Sequence, residues 1–374
     1  MLANSDRLVV KIGSSLFVDE RTGELHRDWL ATLCEDIVRL RARGTSVVIV
    51  SSGAVALGSR ALGLDAAAAR LDDKQAAAAV GQVVLAHAWQ EFLQQHGVTI
   101  AQVLLTIDDS ESRRRYLNAS RTLRNLIRRG AVPVINENDT VATEELRYGD
   151  NDRLAARVAQ MVSADCLVLL SDIDGLYTAD PQTDSHAEHI AEVKELGAEH
   201  FDMAGGPGSS HGTGGMRTKL DAARIAVAAG CAMAIARGHV LHPLRALEDG
   251  ARATWFPAHE SPRAARKQWI AGTLGVQGAL IVDDGAQQAL KAGRSLLPAG
   301  VSDVQGRFDR GDAVRIVSGD GRELGRGLCA YGATEAKKIA GLQTTQIEAV
   351  LGYRGRDEII HRDDMVVADN GGSE

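Results

Sequence analysis

The chain has 374 residues, with 42 Lys+Arg against 49 Asp+Glu for a formal net charge of −7, and it is 45% hydrophobic but only 4% aromatic. An acidic balance argues against a chain devoted to phosphate-backbone binding, and no apolar run approaches the ~18 residues of a membrane span. Cys34, Cys166, Cys231 and Cys329 are too scattered for a disulfide framework or a zinc knuckle, so the reading is a reduced, cytoplasmic protein of two or three domains.

From residue 8 to about 257, strand-like runs alternate with helix-like ones. Short β-rich runs fall at Leu8–Ile12, Ser46–Ser51, Thr99–Leu105, Val132–Ile135, Cys166–Leu170 and Cys231–Ala236. Trp29, Leu30, Leu33, Cys34, Ile37 and Leu40 keep helical spacing, with Gly44 placed to end the helix. Lys74–Gln95, Arg114–Arg129, Arg153–Val162 and Met216–Ala229 read the same way. This alternation predicts a mostly parallel sheet with helices on both faces, and ligands beyond the carboxyl ends of its strands. The residues just after each strand are therefore the candidates for chemistry.

Lys11 leaves the first strand into Gly13-Ser14-Ser15, a small-residue turn where a Lys can meet a phosphate; taken alone, it reads sooner as a Lys snorkelling from a strand end. The second strand ends Ser51-Ser52-Gly53-Ala54 before a helix, so either the free N–H groups serve an anion or a serine merely caps them. After the fourth strand, Asn136-Glu137-Asn138-Asp139-Thr140 offers amide and carboxyl groups for an ammonium group and polar atoms, or forms an Asn/Asp turn. Gly149-Asp150-Asn151-Asp152 then leads into a helix, and two such clusters in one α/β domain favour a site. Ser171-Asp172 closes the fifth strand, and the Gly and Pro placement through Pro181 suits a hairpin covering a ligand. Finally, Gly205-Gly206-Pro207-Gly208 opens a loop ending Thr213-Gly214-Gly215-Met216-Arg217-Thr218-Lys219. That is a glycine-rich phosphate cradle before a helix, although not G-x-x-x-x-G-K-[ST].

Beyond Pro257 the rhythm changes. Residues 261–277 read as a connection, with room for one helical turn. Ala279–Val282, Val301–Gln305, Ala313–Ile316 and Gly325–Ala330, punctuated by glycines, predict a small barrel or sandwich. Three lookalikes fail. His361-Arg362-Asp363 lacks the downstream Asn of a protein-kinase loop, Arg310-Gly311-Asp312 reads as a turn, and His186 and His189 sit in polar surroundings without further metal ligands.

Taken together, V-V-K-I-G-S-S, V-S-S-G-A, V-P-V-I-N-E-N-D-T-V, G-D-N-D, S-D-I-D-G-L-Y-T-A-D-P and G-T-G-G-M-R-T-K resemble the amino-acid kinase family joined to a C-terminal PUA domain, from about Leu8 to Met365. The N-E-N-D and G-D-N-D pair resembles the members that act on glutamate. The resemblance implies a doubly wound catalytic domain at 1–260, a linker at 261–277, a PUA-like barrel at 278–357 and a tail at 358–374. It implies ATP-dependent phosphorylation of the L-glutamate side-chain carboxylate, with Mg²⁺, as the first step toward proline. Lys11 and Lys219 would contact the transferring phosphoryl group, with Asp152 as organiser. Ser52, Gly53, Asn136, Asp139 and Asn151 would take glutamate, while Lys11, Ser171, Asp172 and Thr213, Gly214, Gly215, Met216, Arg217, Thr218 and Lys219 would surround ATP. No protein metal site is expected. A homo-oligomer with proline as feedback inhibitor is further implied. Two other readings compete: a different amino-acid carboxylate as acceptor, and RNA binding through the PUA domain. Residues 278–357 carry 11 Lys+Arg and 10 Asp+Glu, too nearly neutral to favour strong non-specific RNA binding.

Overall fold

The computed structural model describes residues 2–19, 22–65, 69–141, 150–204, 215–272 and 275–367. They form two compact units, Met1–Pro262 and Arg263–Glu374.

In the first unit the strands are β1 (Arg7–Ile12), β2 (Ser46–Ser51), β3 (Ile100–Leu105), β4 (Val132–Glu137), β5 (Cys166–Ser171), β6 (Leu176–Tyr177), β7 (His189–Ile190), β8 (Ala232–Arg237) and β9 (Ala253–Phe256). Seven of them make one sheet in the order β3-β4-β2-β1-β5-β8-β9. All neighbours pair in parallel except β8 and β9. The chain therefore builds one wing outward from β1 through β2 and the other through β5, which makes β1 the point where strand order reverses. Crevices open there at the carboxyl ends of the strands. β2 and β5 are apolar over nearly their whole length because helices cover both faces. Each fully buried Val, Leu or Ile in them contributes about 1.5–3 kcal/mol.

The helix Arg27–Ala42 buries the Trp29, Leu30, Leu33, Cys34, Ile37 and Leu40 stripe. Its chain reverses at Gly44, whose φ of +95° ends the helical path. The helices Ala54–Leu62 and Leu71–Gln94 cross backbone to backbone. A Cβ on Gly58 would stand 1.7 Å from the Ala77 carbonyl oxygen, and one on Gly81 1.8 Å from that of Ala54. This contact sets the depth at which the longer helix lies against the sheet. β6 and β7 pair antiparallel as a small hairpin after β5, which agrees with the turn signals there. β9 is not predicted from the sequence, since Ala-Thr-Trp-Phe is only four residues long.

In the second unit, β10 (Gly278–Val282), β11 (Val301–Gly306), β12 (Ala313–Ser318), β13 (Glu323–Leu328) and β14 (Met365–Val367) form a five-stranded mixed sheet. Its core gathers Leu280, Val304, Ile316, Tyr331, Ile339 and Ile360. Two expected boundaries need correction. Pro262–Gly272, inside the expected linker, is an eleven-residue helix. Pro262 suits its first turn, where no N–H is needed. Ile270 is fully buried, and the Arg266 guanidinium pairs with the buried Asp364 carboxylate at 2.7 Å. The expected tail at 358–374 is also part of the fold as far as Val367. Ile359 and Ile360 are buried, and β14 pairs with β13.

Candidate active site

Lys11 and Asp152 are brought together by the parallel sheet. Lys11 is the penultimate residue of β1, and Asp152 lies in the first turn of the helix Asp150–Val162 that follows β4. Lys219 comes from the first turns of the helix Gly215–Ala228. The Lys11 ammonium lies 2.6 Å from Asp152 Oδ1, and the Lys219 ammonium 3.1 Å from Asp152 Oδ2. Thr218 Oγ1 approaches the same Oδ2 at 3.3 Å. Asp152 is 0% exposed, Lys11 7% and Lys219 8%. Burial pushes the Asp152 carboxyl up, but the Lys11 and Lys219 ammonium groups outweigh it and hold the group below its ordinary value. One carboxylate thus serves two buried cations, and the triad carries an excess positive charge. An excess of that kind is costly in the interior unless an anion neutralises it.

On the β2–β4 side, Gly53 enters the helix Ala54–Leu62 with φ +108°, a conformation glycine supplies without Cβ strain, and no side chain caps that helix. The two serines beside this helix start are engaged elsewhere. Ser51 Oγ accepts the Trp89 indole N–H at 3.2 Å, and Ser52 Oγ accepts Asn151 Nδ2 at 2.8 Å. The first-turn N–H groups therefore remain available to an anion. Asn151 Nδ2 also donates to Asn136 Oδ1 at 3.2 Å, and Asn136, 2% exposed, donates to Gln82 Oε1 at 2.8 Å. Ser52, Asn136 and Asn151 thus form one hydrogen-bonded cluster from three separate stretches of sequence. Asp139 lies half-buried in the turn after β4 and has interactions of its own.

On the β5 side, Ser171 Oγ donates to Asp172 Oδ1 at 2.7 Å. Burial raises the Asp172 carboxyl, while the Ser171 hydroxyl, its own amide, Lys219 and His239 bring it below the ordinary value. The Lys219 field links this end of the sheet to the triad. Arg217 sets its guanidinium 5.8 Å from the centre of the Phe201 ring, and Thr218 Oγ1 donates to the Gly215 carbonyl at 3.1 Å. Thr213 and Gly214 lie outside the described residues, as does Gly149.

Sequence reasoning missed Gln82 and Trp89. Both belong to the buried face of the helix Leu71–Gln94, which also presents Ala77, Ala78, Gly81, Leu85, Ala88 and Leu93. The available signal was a single amide in phase with an apolar stripe, a place where a polar group needs a partner.

Two lysines gathered on one buried aspartate at the switch point of a doubly wound α/β sheet form a cationic site suited to a phosphate-bearing ligand. The chain belongs to the amino acid kinase family: that family's model matches residues 6–237, and the PUA domain model matches residues 278–351. A kinase of this family uses ATP. The chain is 62% identical to glutamate 5-kinase of Paramagnetospirillum magneticum, over 98% of this chain and 99% of the relative. It is 58% identical to glutamate 5-kinase of Rhodospirillum rubrum, over 96% of each chain. Glutamate 5-kinase 1 of Rhizobium meliloti is 57% identical, over 98% of this chain and 93% of the relative. No helix among the described residues is long and apolar enough to cross a membrane.

Proposed function

We propose that the chain transfers the γ-phosphoryl group of ATP to the side-chain carboxylate of L-glutamate, giving ADP and L-glutamyl 5-phosphate, the first step toward proline. Full-length likeness to relatives named for that activity supports the reading. The observation that carries it is the Lys11–Asp152–Lys219 triad, with its excess of buried positive charge. The substrate carboxylate is already a nucleophile, so no general base is needed. One of its oxygens attacks Pγ in line, the bond from Pγ to the bridging oxygen breaks, and ADP leaves with that electron pair. The difficulty is electrostatic, since an anion approaches a polyanion. Lys11 and Lys219 hold their ammonium groups where charge builds on the transferring phosphoryl group, and Asp152 fixes both positions before substrate arrives.

Ser52, Gly53, Asn136 and Asn151 take the glutamate, with the uncapped helix start toward a carboxylate and Asp139 toward the ammonium group. Ser171, Asp172 and the segment from Thr213 to Lys219 take the nucleotide. Among the described residues no group of three or more His, Cys, Asp or Glu gathers as a cation cage. Mg²⁺ would enter with ATP as the counter-ion of its phosphates. Proline, which shares an α-carboxylate and an amine with glutamate, acts as feedback inhibitor at or near the same pocket. The protein works in the cytoplasm as a homo-oligomer.

The test is to trap the acyl phosphate as a hydroxamate, with L-glutamate, N-acetylglutamate and aspartate compared side by side. Preference for N-acetylglutamate or aspartate would overturn the assignment. Proline should raise the KM for glutamate in the same assay, and an unchanged KM would remove it as an inhibitor of this pocket.

A further inference from the structure

We propose that Gln82 is a positioning residue for substrate recognition. Through a chain of side-chain amides it decides which atom Asn151 presents to glutamate. The inference rests on the assignment of Asn136 and Asn151 to the glutamate pocket.

Gln82 is 8% exposed on the inward face of the helix Leu71–Gln94. Its Oε1 accepts Asn136 Nδ2 at 2.8 Å, Asn136 Oδ1 accepts Asn151 Nδ2 at 3.2 Å, and the same Nδ2 reaches Ser52 Oγ at 2.8 Å. The chain thus runs Ser52–Asn151–Asn136–Gln82 with every internal link satisfied. Two other amide atoms along it are not. Asn151 Oδ1 and Gln82 Nε2 are both buried and have no hydrogen-bond partner among the described residues. Leaving a buried amide atom unpaired is expensive, and Asn151 Oδ1, on the amide that meets Ser52, is placed for the substrate to complete it.

A side-chain amide has nearly the same shape when turned by 180°, with donor and acceptor exchanged. A chain of three amides therefore has two self-consistent directions. In the observed direction Asn151 holds out a carbonyl oxygen, which accepts from the substrate ammonium group. Reversed, it would hold out an NH₂ group, repel the ammonium and favour a carboxylate. Ser52 adapts to both, since a hydroxyl donates or accepts. Gln82 Oε1, bonded to Asn136 Nδ2, holds Asn136 and through it Asn151 in the ammonium-binding arrangement.

Two substitutions separate the outcomes. Gln82→Glu can still accept from Asn136, so it keeps the observed direction. Gln82→Met has similar volume but no strong acceptor, so Asn136 and Asn151 lose their alignment. Steady-state kinetics on the full chain should show Gln82→Met raising the KM for L-glutamate about tenfold, the weight of one neutral hydrogen bond. The KM for ATP and the Ki of glutarate, which lacks the amine, should each stay within about twofold of wild type on the same logic. Gln82→Glu should keep the glutamate KM within about threefold. Equal KM values for Gln82→Met and wild type would overturn the inference, as would a parallel rise in glutarate Ki. A tenfold rise in Gln82→Glu overturns it too, and that arm decides the matter if Gln82→Met does not fold. Asn151→Ala keeps the two levels distinguishable. An unchanged glutamate KM there means the pocket itself is misassigned, whereas a raised KM beside an inert Gln82→Met removes Gln82 alone.

Discussion

Asp152 has no solvent contact, yet it stays charged between Lys11 and Lys219. Its folded-state value lies below its ordinary one, so folding favours the ionised form. The resulting stability is fully present above the ordinary carboxylate range and is lost as pH falls through that range toward the folded value. Asp152→Asn should lower stability at neutral pH by about 3–5 kcal/mol, because two buried ammonium groups lose their counter-charge. Its Tm should also fall less steeply on acidification, which thermal melts across that range will read. Lys219→Met should lower kcat about 10²-fold or more with little change in the glutamate KM, the pattern of a lost transition-state contact. A kcat within a few-fold of wild type would reduce Lys219 to a structural partner of Asp152. Asp139→Asn should raise the glutamate KM and leave that for ATP unchanged; the opposite result would move the loop after β4 to the nucleotide. Lys11, Asp152 and Lys219 were legible as residues because Lys11 stands at a strand end, Asp152 closes the Gly-Asp-Asn-Asp motif and Lys219 follows a glycine-rich stretch. Their union at one carboxylate was not, since it joins positions 141 and 67 residues apart on two helices and a strand.

At the scale of elements, the strands of the parallel sheet were readable because both of their faces are buried and apolar residues run without a break. β9 and β14 escaped because they are only four and three residues long. The helix Pro262–Gly272 escaped for a different reason: its many charged and small residues leave only a thin apolar stripe. The crossing of Ala54–Leu62 with Leu71–Gln94 depends on two glycines and supports the position of Gln82. Gly81→Ala would press a methyl group on the Ala54 carbonyl, and the backbones must part, at a cost of about 3 kcal/mol. We expect a clear loss of Tm together with a raised glutamate KM. A lowered Tm with normal kinetics would uncouple the crossing from the pocket.

At the scale of the molecule, every candidate site residue lies in the unit that ends at Pro262, while Arg266 of the helix Pro262–Gly272 pairs with Asp364 within the second unit. A chain ending at Pro262 should therefore fold and form glutamyl phosphate, whereas one ending near Gly275 retains a helix stripped of its Asp364 partner and should be less soluble. Circular dichroism with kcat/KM of both chains will separate the cases; a folded but inactive chain ending at Pro262 would mean that the second unit completes the site. All four cysteines are buried, and burial pushes the Cys34 and Cys166 thiols up to about 12. Iodoacetamide at neutral pH should accordingly label none of them until the protein unfolds.

What the sequence by itself determined is what local chemistry controls. Alternating apolar runs specify strands and helices, strand ends specify where ligands meet the backbone, and the motif order specifies the family. Only the tertiary structure decided which distant groups share a hydrogen bond. Gln82, Asn136, Asn151 and Ser52 are ordinary polar residues one by one, and nothing in their spacing announces a chain of amides. The sheet order and the Gly58–Gly81 crossing bring them within 3.2 Å of one another in sequence along that chain, because direction in a hydrogen-bonded network is a property of the partners and not of any single residue.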